Sequence, residues 1–310
     1  MDDRSKNLHS LKMIPIILCL STGVTIILAN LLNAQQSPKF PEKIVAYPVV
    51  ADIAFPEGPA FDSQGNLYFV NYVRNGTIGR KTPDGTVTVW VDLNTIGGVA
   101  NGLKTDQGGN VIVADSKGKR LLRISPNREI SILADLFQGK PFLGLNDVAL
   151  DKVGNIYFSD PSGSSRENPI GGVYRFSVDH KLSLLDGKLA FPNGLAISPD
   201  QGRIYVAEML ASRIVVYDLS RDGVVSNKRT LYQYPGGNLD GMGFDEYSRL
   251  WMTRPENNCV DVFSEKGELL HKIPTASTVT NLAWWGKSVY LTIAGEHSIH
   301  RLDVGVGPAK

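Results

Sequence analysis

From residue 57 onward, short apolar runs alternate with turn-forming clusters, and that alternation itself repeats. Six stretches share one layout: 57–70, 101–113, 146–158, 193–206, 240–252 and 281–291. Their first residues lie 44, 45, 47, 47 and 41 positions apart. Each opens with a short strand pattern, such as 58–61, and passes a turn of the Asp-x-x-Gly-Asn kind. A β-branched and aromatic run such as 67–70 follows. Two further strands complete the unit, joined by turns such as Pro83-Asp84-Gly85. Gly, Asn and Asp supply the positive φ that tight hairpins require. The second runs, Ile-Tyr-Phe and Leu-Trp-Met among them, are apolar almost without interruption, as expected of strands covered on both faces. A period near 45 with four strands per repeat predicts an all-β fold, a six-bladed β-propeller.

The ends of the chain sharpen this reading. The last repeat offers strands at 282–284, 289–293 and 299–304 and then stops one strand short. A strand-like run at 43–51 belongs to no repeat. Placed in the empty slot, it makes N- and C-terminal strands close the ring, which removes an exposed edge.

Composition adds three constraints. Net charge is +1, so no electrostatic footprint for nucleic acid is present. Residues 13–32 are a mostly apolar run after Arg4, Lys6 and Lys12. They read as an export signal ending near residue 34 or as an uncleaved membrane anchor. The expected organisation is therefore a leader at 1–34, a polar linker at 35–42 and the propeller at 43–310, with a periplasmic or secreted location. Cys19 lies in that leader and leaves Cys259 as a lone thiol, best suited to a buried hydrophobic role.

The first residues of the repeats are Glu57, Asn101, Asn146, Asn193, Asp240 and Asn281. The residue leading each innermost strand faces the mouth of the central channel, so six oxygen-bearing side chains meet there. Such a set suits Ca2+, with Mg2+ or Mn2+ as alternatives and Zn2+ less suited, because no thiol or imidazole is near. The competing explanation is that Asn-Gly and Asp-Gly simply form turns.

Glu57-Gly58-Pro59 with Phe61-Asp62, Asn146-Asp147 with Asp151 and Asp160-Pro161, Pro192-Asn193-Gly194-Leu195, and Asp240-Gly241-Met242 together resemble the regucalcin/gluconolactonase family. The resemblance spans about residues 50–304. It implies a Ca2+-dependent hydrolase of small lactones or esters, with Glu57, Asn146, Asn193 and Asp240 as metal ligands. It also implies Asp240 as the general base and Asn101 as a residue facing substrate or ion. Asp115 and Arg254, at the ends of second strands, are further candidates for substrate contact, as are Tyr72, Arg74, Asp160, Ser162 and Glu208. His297 and His300 read as surface or turn residues, so no histidine base is expected. Asn281 lacks a following glycine and reads as structural. A scaffold propeller with a structural Ca2+, and a strictosidine-synthase-like lyase or isomerase, are the rival readings.

Overall fold

The computed structural model describes residue 41 and residues 44–71 and 76–309. The expected leader, nearly all of the linker, Cys19, Tyr72 and Arg74 lie outside these residues. Six four-stranded antiparallel sheets form the blades. Blade one comprises Pro56–Phe61, Leu67–Asn71, Thr77–Lys81 and Val87–Asp92. The innermost strands of the next four blades are Ala100–Thr105, Val148–Leu150, Pro192–Ile197 and Met242–Phe244. Blade six contains Val279–Trp285, Ser288–Ile293 and Ser298–Asp303, and its outer strand is Ala46–Val50. Ala46 opposes Leu302 and Pro48 opposes His300 in this closing pair. The spare front strand therefore fills the slot that the last repeat leaves open. Thr280 Oγ1 donates to Pro56 O at 2.9 Å, tying blade six directly to blade one.

The turn after each innermost strand explains the Asp-x-x-Gly-Asn signature. Asp62 Oδ1 accepts from the amides of Gln64 and Asn66, both at 2.9 Å. Its Oδ2 accepts from Asn66 Nδ2 at 2.7 Å and from the Tyr68 hydroxyl. Asp151 does the same with Asn155 and Tyr157, and Asp245 with Arg249 and Trp251. One side chain thus fixes both the turn and the first aromatic of the next strand.

The core lies between blades rather than at one centre. Val70, Ile78, Leu103, Val113 and Leu122 form one buried cluster, and Val260, Val262, Val279, Leu291 and Trp251 another. The second strands Val111–Asp115, Ile156–Asp160 and Leu250–Arg254 are buried at every position, as the unbroken apolar runs require. Cys259 is buried, as expected. Among the described residues no helix is long and apolar enough to cross a membrane.

Candidate metal and active site

Four of the six innermost strands carry a register irregularity at their leading residue. The shifts fall between Glu57 and Ala60, Ala100 and Leu103, Pro192 and Leu195, and Val279 and Leu282. In blades three and five the ladder begins later, at Val148 and Met242. A bulge re-aims the side chain beside it, so in these four blades the leading residue departs from the regular in–out alternation of the strand. The glycines that follow serve close packing between neighbouring blades. A Cβ on Gly58, whose φ is +50°, would sit 2.3 Å from Asn101 O; one on Gly102 would sit 2.4 Å from Asp147 Oδ1.

Glu57 and Asn193 are buried at 5 % and 4 % exposure, whereas Asn101, Asn146 and Asp240 are half-buried. Burial pushes the Glu57 carboxyl up to about 8, with the charge of Asp147 as the next cause. Burial also raises Asp240 well above the ordinary carboxylate range, reinforced by Glu57 and then Asp147. Asp240 is therefore linked electrostatically to two other acids, and its contact with Asn193 lowers it only in part. Asp147, 1 % exposed, is raised mainly by burial as well. Like charges in a desolvated site cannot all ionise without a counter-charge.

Asp147 is the residue that sequence reasoning missed as part of the site. It stands where the repeat places glycine in four blades, and that departure from the pattern was the available signal. Its Oδ1 accepts from the Val148 amide at 2.8 Å; its Oδ2 is buried without a close hydrogen bond among the described residues, and the Asn281 side chain and Leu195 amide near its carboxyl hold back its rise only in part. Asn193 shows the same deficit. Its Nδ2 faces Leu239 O at 3.4 Å and Met209 Sδ at 3.5 Å. A carbonyl can only accept, so the amide nitrogen is assigned to that side. Oδ1 is then left buried and without a partner.

A divalent cation fits this donor set. Two orphan acceptors and three buried carboxyls, each raised chiefly by burial, make an oxygen-rich, cation-seeking cluster. Among the described residues no trio of His, Cys, Asp and Glu could hold a metal alone. Amide oxygens from Asn146 and Asn193 would have to complete the shell. Asn281 is structural: its Oδ1 accepts from the Leu282 amide and its own amide donates to Thr292 Oγ1, both at 2.8 Å.

Asp115 and Arg254 require correction. Asp115 is fully buried, and its Oδ1 accepts from the amides of Val99 and Gly118 at 2.9 and 2.8 Å. Its Oδ2 pairs with Arg120 at 2.6 Å. Arg254 is 3 % exposed, donates to Asn238 O, Gly236 O and Asn257 Oδ1, and lies over the Tyr234 ring at 3.6 Å. Both are buried and engaged with groups of the protein itself, so the structure does not present either to a substrate. Asp160 holds the amides of Leu143 and Gly144, and Glu208 holds that of Ala190 and pairs with Arg213. In blades two to five, the last residue of the second strand thus clamps the loop that leads into the innermost strand. His300 also departs from expectation. It is buried beneath the closing strand and bonded to Ser298 Oγ at 2.9 Å, while His297 does occupy an exposed turn.

Comparison with known proteins decides the family. Residues 55–295 match the model of the SMP-30/gluconolactonase/LRE-like region. The chain belongs to this family. A gluconolactonase of Zymomonas mobilis is 28% identical over 287 residues, covering 82% of this chain and 80% of its own. The diisopropyl-fluorophosphatase of Loligo vulgaris is 30% identical over 244 residues, covering 71% and 78%. A solved gluconolactonase from Xanthomonas campestris superposes with a TM-score of 0.75 at 25% identity, covering 85% of this chain and 90% of that one. With these relatives, the chain is an enzyme of the hydrolase class.

Proposed function

We propose that this family member is a divalent-cation-dependent hydrolase of small lactones, with Ca2+ as the resident ion. The observation that carries the reading is the pair of buried acceptors without a close hydrogen bond, Asn193 Oδ1 and Asp147 Oδ2, among carboxyls that burial raises. Glu57, Asn146, Asn193 and Asp240 would hold the ion. When bound, it would supply Lewis-acid polarisation of the substrate carbonyl.

The chain's own residues do the rest. Asp240 is half-buried at the mouth and is the carboxylate best placed to take the proton of an attacking water. Ionised Glu57 and Asp240 match the charge of a divalent ion. Asn101, half-buried beside them in the ring, orients the substrate through its amide. Asp147, held by Ser159 Oγ at its amide, keeps a negative charge behind the ligands.

Purified protein treated with chelator and assayed on aldonolactones, aliphatic lactones, aryl esters and phosphotriesters tests this directly. Turnover should vanish with chelation and return with Ca2+. Turnover unaffected by chelation would leave the cation without a catalytic role. An ion that binds while no compound of the panel is turned over would favour a scaffold propeller.

The expected location is likewise a proposal: residues 13–32 direct export. N-terminal sequencing of protein recovered from cells should find a start near residue 35, and a start at Met1 would indicate an anchored chain.

A further inference from the structure

Three residues below the leading position, the six innermost strands carry Ala60, Lys104, Ala149, Ala196, Gly243 and Trp284. All six line a single cavity of about 310 Å³ at the end of the channel where those strands finish. Four of the six positions are small, and this leaves the space open. The other two bring donors. Lys104 is the only charged residue among the described lining residues. Trp284 Nε1 is buried and has no hydrogen-bond partner among the described residues.

The indole lies over Gly243, where a Cβ would come within 2.8 Å of Trp284 Cζ3. It also meets Trp251 edge to face at 5.7 Å, which holds its plane. Apolar walls come from Phe61, Leu150, Ile197, Met242, Leu282 and Phe244. The segment near the C-terminus forms one side: Ala309 lines the cavity, and its amide donates to Phe244 O at 3.1 Å.

We propose that this lower cavity binds a small amphipathic organic anion, a medium-chain or arylalkyl carboxylate. Its carboxylate pairs with Lys104 and accepts from Trp284 Nε1, and its chain fills the apolar space. The donor inventory decides the sign of the ligand. The upper mouth holds partnerless acceptors and calls for a cation; the lower one holds a cation and a partnerless N–H and calls for acceptors. A volume near 310 Å³ is at the small end of ligand pockets, which limits the ligand to a compact molecule. An apolar lining with one or two polar anchors is the usual composition of such pockets. This inference does not depend on the lactonase reading.

Calorimetry and tryptophan fluorescence on chelator-treated full-length protein test it, with octanoate, 1-octanol and inorganic phosphate as probes. Octanoate should bind with one-to-one stoichiometry, octanol about tenfold more weakly, and phosphate not at all. Lys104→Met should weaken octanoate by about tenfold, while Lys104→Arg, the check on folding, retains it. Trp284→Phe should weaken it by a smaller factor, and Asp240→Asn should leave it unchanged. Equal affinity for octanoate and octanol would overturn the proposal, as would displacement of octanoate by phosphate. So would unchanged binding in a well-folded Lys104→Met, loss of binding in Asp240→Asn, or no binding at millimolar probe.

Discussion

Two rings of polar residues, both repeated from blade to blade and both buried or half-buried, behave in opposite ways. The clamps at the ends of the second strands are satisfied: Asp115 and Asp160 hold two backbone amides each, and Arg254 donates in three directions. The ring at the channel mouth is not. Asn193 and Asp147 each keep one acceptor without a close hydrogen bond, and burial raises Glu57, Asp147 and Asp240, with Asp147 adding to Glu57 and both adding to Asp240. A buried polar group that lacks a partner costs stability unless something supplies it. At the mouth the unpartnered atoms are acceptors gathered with buried carboxyls, and that combination marks the place for a cation.

Substitutions in the two rings should separate activity from stability. Asp240→Asn keeps the side-chain volume but removes the proposed base and one charge. Lactone turnover should fall by roughly 10²–10⁴-fold with little change in the thermal midpoint. A large loss of midpoint with turnover intact would place Asp240 among the scaffold residues. Arg254→Met is the reciprocal case. It removes the buried donor to the carbonyls of Gly236 and Asn238 and the longer of the two ion pairs to buried Asp261, which keeps Lys272, and denaturation should show a loss of about 1–3 kcal/mol. Cation affinity, measured by calorimetry on the surviving folded protein, should stay close to native.

The pH dependence of stability is a third test, of smaller size. The Glu57 carboxyl stands near 8 in the folded chain against an ordinary 4.5, and Asp147 and Asp240 are also raised. The folded chelator-treated protein thus binds protons more tightly than the unfolded one. Its stability should be greatest below about pH 4.5 as far as these groups decide, and should be lost progressively as pH rises through about 8. Saturating Ca2+ should flatten that slope, because the ion holds the acids in their charged form. Glu57→Gln should raise the midpoint of the chelated protein at pH 8 while weakening cation binding. A midpoint that falls instead would mean Glu57 is held by partners rather than stressed. The smallest effect is expected at Asn101→Ala. KM should rise several-fold while kcat and cation affinity change little, and equal loss in both kinetic constants would assign Asn101 to the reacting centre.

The six-fold layout was legible in the chain because it is written locally. The spacing of the Asp-x-x-Gly-Asn turns, the unbroken apolar second strands and the spare strand before residue 51 each depend on neighbours in sequence. The period alone then places Glu57, Asn101, Asn146, Asn193, Asp240 and Asn281 at equivalent positions around one axis. What the chain could not express is which of those oxygens, once gathered, would find a partner. Asn281 is closed off by the Leu282 amide while Asn193 Oδ1 is left open. Asp147 looked like one more turn residue until the channel buried it against Glu57 and Asp240. Asp115 and Arg254 looked available until the loops folded over them. Periodicity is a property of the covalent chain. Burial, charge coupling and hydrogen-bond satisfaction depend on contacts between distant segments, and they exist only after the ring has closed.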